Sequence, residues 1–335
     1  MNDSRNITTH SRLPHRLATL LVCAVFPLIF VGGLVTTTKA GMAVPDWPGT
    51  FGYNLFLYPW TTWIAGPWDI FVEHGHRQLG GLAGIIALAL VWSLWRDGAP
   101  RRLRALAWAT GLGIASQGVI GGMRVNLNER LLAMLHACTG PLAFALCVTT
   151  WYFTARRPVA VVDIDPARSA KVFRLAVLTT CLAYLQLVLG AVVRHMPEYA
   201  PPQTMHIAVM FHLLMAGILT VHVVLLAAAC FKVAPLRRMA TALGSLLMVQ
   251  LLLGLGTWVF KFGFPQWVNT VAATPNFTLS PQSLPQVLTT TAHVAVGSLI
   301  IVTSLLTTLR AGQLLRPATI AAPLFAGLAW REAVV

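Results

Sequence analysis

Eight apolar stretches, each long enough to cross a bilayer as a helix of about 20 residues, constrain the fold of this chain most. They cover residues 17–37, 74–95, 105–125, 131–154, 172–193, 205–230, 239–260 and 287–309. The first is longer than the apolar core of a signal peptide and no convincing cleavage site follows it, so we count it as a retained helix. With 56% hydrophobic and only 10% charged residues, the chain has too much apolar surface for a soluble domain. We therefore predict an all-α polytopic membrane protein with eight transmembrane helices.

The basic residues predict how these helices are oriented. The net charge of +14 comes from Lys and Arg that lie mainly in the loops around 96–104, 156–174 and 232–238 and beside both termini. Such residues are retained on the cytoplasmic side of short loops. We therefore expect both termini in the cytoplasm and the chain in the inner membrane of the cell. Because the positive charge is not gathered on a soluble domain, no nucleic-acid partner is expected.

An internal repeat organises the predicted helices. Three odd-numbered helices carry a glutamine four residues before a glycine, and helix one has Leu28 at the glutamine position: the pairs are Gln117 and Gly121, Gln186 and Gly190, Gln250 and Gly254, and Leu28 and Gly32. The even-numbered helices each carry a histidine instead: His76, His136, His212 and His293. The repeat predicts two pseudo-symmetric four-helix bundles of the same topology. Residues 1–155 form the first half and 170–310 the second, with a cytoplasmic linker at 156–169 and a cytoplasmic tail at 311–335.

The four repeated histidines indicate metal ligands. Ionisable groups inside membrane helices are costly to bury and usually mark function. Two histidines on neighbouring helices of one bundle can occupy both axial positions of a heme iron, so His76 with His136 and His212 with His293 predict two heme sites. A simpler interpretation is that each histidine only hydrogen-bonds a neighbouring helix, but that does not require the repeat. Zinc or copper is a weaker alternative because no Cys or Met cluster accompanies the histidines.

The two halves differ beside their first histidine. Helix two contains Glu73 and Arg77 on either side of His76, whereas helix six has Val209 and Leu213 at the matching positions. Glu73 precedes His76 by three residues, so both lie on one helical face and the carboxylate is placed to accept a proton near a bound heme. Alternatively, Glu73 is an interfacial residue paired with Arg77, or an acid of the first helical turn. For Arg77, the alternatives are a contact with a heme propionate or the orientation of Glu73.

Several other residues are harder to assign. His74 lies two residues before His76 and is expected to face another side of the helix, while His222 lies deep in helix six without a repeat partner and is interpreted as a satisfied packing residue. The first loop between helices is rich in tryptophan: Trp47, Trp60, Trp63 and Trp68. These rings suit an anchor at the membrane interface or a lid over the first heme pocket, and the anchor is the preferred interpretation.

Together, these residues resemble the heme A synthase family of bacteria and mitochondria over the whole eight-helix span. The resemblance rests on Glu73, His76 and Arg77, on His136, His212 and His293, and on glycine-rich segments such as Gly32-Gly33. Some bacterial members have a cysteine pair in their outer loops. The corresponding loops here, about 38–72 and 262–286, contain no cysteine, so a thiol-dependent step is not carried over.

The resemblance implies both an activity and roles for the residues. The family oxidises the C8 methyl group of heme O to a formyl group through hydroxylated intermediates, with heme b as an electron-transfer cofactor. It implies that His76 and His136 ligate the substrate heme, that Glu73 is catalytic, and that His212 and His293 are the axial ligands of heme b. The expected partners are heme O as substrate, a membrane electron acceptor and, as a candidate, heme O synthase, and oligomerisation stays open.

Two other functions compete with this one. A diheme membrane cytochrome would pass electrons between quinone and a partner without modifying its heme. Glu73, which has no counterpart in the second half, favours the enzyme. A transporter with a site at the repeat interface is disfavoured, because the ionisable residues lie near one membrane face and not at its midplane.

Overall fold

A computed structural model describes residues 11–155, 162, 164–264, 268–271 and 279–315. These residues form eight long helices and no strand: α1 (Leu13–Thr37), α2 (Trp68–Arg96), α3 (Arg101–Leu127), α4 (Arg130–Thr154), α5 (Pro166–Arg194), α6 (Pro202–Phe231), α7 (Arg237–Phe262) and α8 (Leu284–Leu315). Short helical turns occur at Trp60–Ile64, Ala234–Leu236 and Val268–Val271. Each of the eight predicted stretches lies within one of the long helices, so the all-α prediction is confirmed.

Seven helical segments in the described part of the chain are long and apolar enough to cross a membrane. They include every long helix except α3, which is 27 residues long and begins with Arg101 and Arg102. The chain is therefore a multi-pass membrane protein. The eighth crossing, through α3, stays a prediction.

The ends of the helices follow local sequence signals. α5 begins at Pro166, inside the predicted linker, because a proline suits the first turn and the Asp165 carboxylate accepts a hydrogen bond from the Arg168 N–H at 2.9 Å. α3 ends at Leu127 and is capped by Asn128, whose φ of 50° is a left-handed conformation that asparagine tolerates well. α8 continues to Leu315, past the predicted boundary at 310. Residues 156–161, 163 and 316–335 of the predicted linker and tail lie outside the described residues.

The helices pack as two rings of four. In the first bundle, α1 contacts α2, α2 contacts α3, α3 contacts α4, and α4 returns to α1. In the second bundle, α5, α6, α7 and α8 contact one another in the same cyclic order. α8 also packs against α1 and α4, and this joins the bundles. The arrangement is consistent with the predicted pair of similar four-helix halves, whose exact boundaries stay a prediction.

Each bundle has its own apolar core and an apolar outer surface. Leu21, Leu94 and Phe144 are fully buried or nearly so in the first bundle, and Val223 and Leu243 are fully buried in the second. The outer surface carries large apolar side chains that are more than half exposed: Leu88, Met210, Leu252 and Leu255. Helices that are apolar on all sides are typical of membrane spans, whose outer faces meet lipid.

Candidate functional site

The first histidine pair lies in the interior of the first bundle. His76 on α2 and His136 on α4 have ring centroids 6.3 Å apart, with ring planes at 89°. Metal–imidazole bonds are about 2 Å long, so two imidazoles that share one metal ion stand about this far apart. The structure thus brings together the two residues that the sequence predicts as one ligand pair.

The second histidine pair repeats this geometry in the second bundle. His212 on α6 and His293 on α8 also have ring centroids 6.3 Å apart, with ring planes at 69°. The two pairs come from equivalent helices, the second and fourth of each bundle. Both predicted pairs are therefore assembled in the same way, at the same separation.

Each of the four histidines lies against a glycine of the preceding helix. A β-carbon at Gly32 would stand 2.8 Å from Cε1 of His76, and at the other three glycines the distance to the histidine Cε1 would be 3.1 Å: Gly121 with His136, Gly190 with His212, and Gly254 with His293. Only a residue without a side chain leaves room for the imidazole at these distances. The glycines of the sequence repeat thus fix the positions of the histidines.

The histidine nitrogens fit a metal-binding role. Nδ1 of His76, His136 and His293 is buried and has no hydrogen bond of good geometry, which is rare for a buried polar atom. A backbone carbonyl of the preceding helix lies beside each ring, one helical turn before the glycine, at Leu28, Gln117 and Gln250. Metal-binding imidazoles usually direct one nitrogen toward such a carbonyl and the other toward the metal. The donor set therefore fits heme iron at both sites.

A cavity of about 420 Å³ lies between the helices of the first bundle. Both His76 and His136 line it, as do Glu73 and Arg77. Several glycines form part of its wall and leave space for a flat ligand: Gly80, Gly84, Gly118 and Gly140. The volume falls within the usual range for sites that bind small molecules and cofactors.

Glu73 is held rigidly at this cavity. Its side chain is 3% exposed, and its two oxygens accept hydrogen bonds from Arg77 Nη2 and from the Val44 N–H, each at 2.9 Å. Glu73 lies in the second turn of α2, and the acid of the first turn is Asp69, so the interpretation of Glu73 as a first-turn acid is wrong. The predicted pairing with Arg77 is present, and the Glu73 side chain of this pair is buried.

Arg77 connects Glu73 to the loop that precedes α2. Its Nη2 donates to the Val44 carbonyl at 2.8 Å as well as to Glu73, and its Nη1 donates to the carbonyls of Asp46 and Gly49 at 2.5 and 3.0 Å. Both terminal nitrogens are thereby occupied. This geometry agrees with the orienting role for Arg77, while the alternative contact with a propionate stays a prediction.

The loop between α1 and α2 covers one end of the cavity, which we call the loop end. Trp47 packs against Gly122 of α3 and lines the cavity, whereas Trp60 and Trp68 are more than half exposed. Trp47 thus lies where a lid is expected, whereas the anchoring of Trp60 and Trp68 at the membrane interface stays a prediction. The turn after Trp47 is held by Asp46, which accepts N–H bonds from Phe51 at 2.7 Å and Gly52 at 2.9 Å.

His74 and His222 lie outside both histidine pairs. His74 is fully buried and bonds Thr50 through Nδ1 and Gln78 through Nε2, each at 3.0 Å, so it fastens the loop to α2. Nδ1 of His222 is buried without a hydrogen bond. His222 was predicted to be a packing residue with satisfied hydrogen bonds, and this prediction is wrong for its Nδ1 atom.

Three residues that the sequence argument did not use also line the first cavity: Arg124, Arg194 and His195. Burial and the charges of Arg194 and Arg124 lower the pKa of His195 to about 4. The sequence contains a feature that could have identified Arg124 and Arg194 as site residues. Each arginine lies three or four residues after a repeat glycine, at the end of an apolar helix remote from the main basic loops.

The second site has apolar residues at the positions of Glu73 and Arg77. Val209 and Leu213 occupy the positions that correspond to Glu73 and Arg77. Gln186 contacts both ring nitrogens of His212 at 3.2 and 3.3 Å, and Gln250 contacts His293 Nε2 at 3.3 Å. The second pair is thus contacted by side-chain amides, whereas the cavity of the first pair is also lined by the Glu73 carboxylate and the Arg77 guanidinium group.

Comparison with known proteins finds a family match and several relatives. Residues 67–204 match the family model of the COX15-CtaA cytochrome oxidase assembly proteins, a segment that contains the first histidine pair and Glu73. The heme A synthase of Symbiobacterium thermophilum is 34% identical over 141 residues, 38% of this chain and 45% of that protein. The heme A synthase of Allorhizobium ampelinum is 30% identical over 207 residues, which are 52% of this chain and 54% of that protein. The heme A synthase of Listeria monocytogenes is 29% identical over 148 residues, which are 43% of this chain and 45% of that protein. The chain thus matches about half the length of these curated relatives.

Proposed function

We propose that this chain, a relative of the heme A synthases, is an oxidoreductase that converts the C8 methyl group of heme O to a formyl group through hydroxylated intermediates. Written with water as the oxygen source, the methyl group and one water give the formyl group, four protons and four electrons. A membrane electron acceptor takes the electrons. The observation that carries the proposal is the buried Glu73 carboxylate beside His76, in a cavity large enough for a ligand, with Val209 in its place in the second bundle.

In this proposal, the first bundle binds the substrate. His76 and His136 hold the heme from opposite sides, and the glycines at Gly32 and Gly121 keep both imidazoles in place. Glu73 accepts protons that the methyl group releases, because its carboxylate lines the same cavity as the two ligands. Arg77 keeps that carboxylate oriented through their 2.9 Å ion pair, and Trp47 closes the loop end against water.

The second bundle would hold heme b between His212 and His293. When bound there, heme b supplies one-electron transfer between the substrate site and the membrane acceptor. Val209 stands in the position of Glu73, and this supports a role in electron transfer and not in oxidation of a substituent. Heme O synthase is a candidate partner that would supply the substrate. We place the chain in the inner membrane with both termini in the cytoplasm, from the distribution of its basic residues.

A diheme membrane cytochrome is the second candidate. The equal separation of 6.3 Å in the two histidine pairs favours it, since two equivalent sites suit a chain that only carries electrons. The two functions predict different heme compositions in cells that express this chain. Cells that make heme O but lack any other route to heme A should contain heme A when they express this chain. If the extracted hemes contain heme B alone, or heme O without any oxidised product, the cytochrome is supported and the synthase is rejected.

A further inference from the structure

The first cavity has more positive than negative side chains. Three arginines and one carboxylate line it: Arg77, Arg124, Arg194 and Glu73. Glu73 pairs with Arg77 at 2.9 Å. Among the described residues, the ion pairs within 4.0 Å do not include Arg124 or Arg194. Two guanidinium charges thus line a membrane-protein cavity without a carboxylate bound to them.

The protein holds both arginines through neutral acceptors. Arg124 donates to the carbonyl of Gly41, and Arg194 donates to the Gly33 carbonyl at 2.7 Å and to Thr37 Oγ1 at 2.6 Å. These bonds use only Nη2 of each guanidinium, which has five N–H groups in all. The bonds fix the two side chains at the loop end of the cavity without neutralising their charge.

His195 adds a third polar group beside them. It follows Arg194 directly, lines the same cavity, and has a buried Nε2 atom without a hydrogen-bond partner. Arg124, Arg194 and His195 all line this one cavity. A buried nitrogen without a partner at the wall of a cavity is rare in native structures and indicates a group that a ligand completes.

We propose that Arg124, Arg194 and His195 form a binding site for the carboxylate side chains of the porphyrin that enters this cavity. Uncompensated charge in a membrane protein is costly, and an arginine binds a carboxylate through paired, charge-assisted hydrogen bonds. A porphyrin with two propionates carries two such carboxylates on one edge, which matches the two unpaired guanidinium groups. The inference rests on the proposed function in one respect, namely that a heme enters the first cavity.

The site is built by both bundles. Arg124 belongs to α3 of the first bundle, whereas Arg194 and His195 lie at the end of α5 in the second. Arg194 reaches α1 through its bonds to Gly33 and Thr37. The second bundle thereby completes the substrate site of the first. Since only the propionate edge of the porphyrin can meet these groups, the site also selects the orientation in which the substrate binds.

The test compares a porphyrin that has its carboxylates with one that lacks them. The purified protein, with its second site already loaded, is titrated in detergent with iron protoporphyrin IX and with the dimethyl ester of the same compound, and the Soret absorption is followed. We expect the wild-type protein to bind the free acid about 10-fold or more tightly than the ester, the usual size of a hydrogen bond to a charged group. Arg194→Gln should remove most of this preference, and Arg194→Lys should keep part of it.

The matched control is Lys39→Gln, which removes one positive charge from the loop between α1 and α2. Lys39 is exposed and pairs with Glu198, so its replacement should leave the preference for the free acid unchanged. Equal affinity of the wild-type protein for the acid and the ester would overturn the carboxylate site and leave the proposed function intact. If neither porphyrin binds the first site of the wild-type protein, the proposed function fails, and the carboxylate site with it.

Discussion

Gly254 of α7 lies directly against the imidazole of His293 on α8, and a β-carbon there would stand 3.1 Å from Cε1. We predict that Gly254→Val displaces this ring and weakens or abolishes the low-spin heme b spectrum, because the branched side chain occupies the space of the imidazole. Gly244→Val is the matched control, since Gly244 lies on the same helix with nothing within 4 Å of its β-carbon position. Equal spectra for the two variants would show that the glycine does not position the ligand.

The proposed axial ligands of the second site can be tested by replacing them. If heme b binds there as proposed, His212→Ala or His293→Ala removes one of its two ligands and should lose or strongly perturb its spectrum. His222→Ala serves as the control on α6, because His222 belongs to neither pair. Optical and electron paramagnetic resonance spectra of the purified variants provide the measurement. The assignment is wrong if His222→Ala abolishes the low-spin signal while both other variants retain it.

Much of the fold could be predicted because it depends on length and apolar character. A stretch of about 20 apolar residues has few choices other than a membrane helix, and each predicted stretch lies in one long helix. α3 differs from the other long helices in apolar character. Its ends carry Arg101, Arg102 and Arg124, and it does not join the seven segments that are apolar enough by composition.

The candidate site could be predicted where the residues form a repeat. The spacing of His76, His136, His212 and His293 placed them on equivalent helices, which bring them into pairs. Arg194 and His195 were missed because they belong to the second half of the sequence but line the cavity of the first. The periodicity of residues within one helix does not indicate which of them contact the other bundle. The loop contacts of Arg77 were missed for a similar reason, since the path of an irregular loop has no sequence period.

The Asp46 carboxylate should make the loop over the first cavity sensitive to acid. Burial acts to raise the pKa of Asp46, but the N–H groups of Gly52 and Phe51, together with Arg77, hold it below its usual 3.8. A carboxylate with a lowered folded-state pKa stabilises the fold above 3.8, and this stabilisation is lost as the pH falls through the lower folded value.

Hydrogen exchange provides the measurement for this prediction. Protection of the Phe51 and Gly52 amides, corrected for the intrinsic exchange rate, should fall in the wild-type protein as the pH decreases below about 4. In Asp46→Asn, protection should be lower at neutral pH and should not change over that range. Asp69→Asn is the control, because Asp69 is an exposed first-turn acid that accepts a hydrogen bond from the Ile70 N–H and not from these amides. An identical acid response in the wild-type protein and Asp46→Asn would contradict the prediction.

The orientation in the membrane can be tested with two single cysteines. Ala234→Cys lies in a loop predicted to be cytoplasmic, and Tyr199→Cys lies in an exposed loop on the opposite side. The exposed Cys23 and Cys181 are first replaced, so that each variant has one exposed cysteine. A membrane-impermeant maleimide should then label Tyr199→Cys in intact spheroplasts. Ala234→Cys should react only after the membrane is opened. The reverse labelling would invert the predicted topology.

The most direct test of the central claim is the heme composition of Glu73→Gln. Cells that supply heme O should yield heme A with the wild-type chain, whereas the variant should accumulate heme O or a hydroxylated intermediate. Loss of one general acid or base typically costs about 100-fold to 10,000-fold in rate, because proton transfer then has no positioned partner. The variant should still bind both hemes, and Glu198→Gln, which removes an exposed carboxylate, should behave as wild type. Wild-type proportions of heme A in Glu73→Gln, measured by chromatography and mass spectrometry of extracted hemes, would contradict the account.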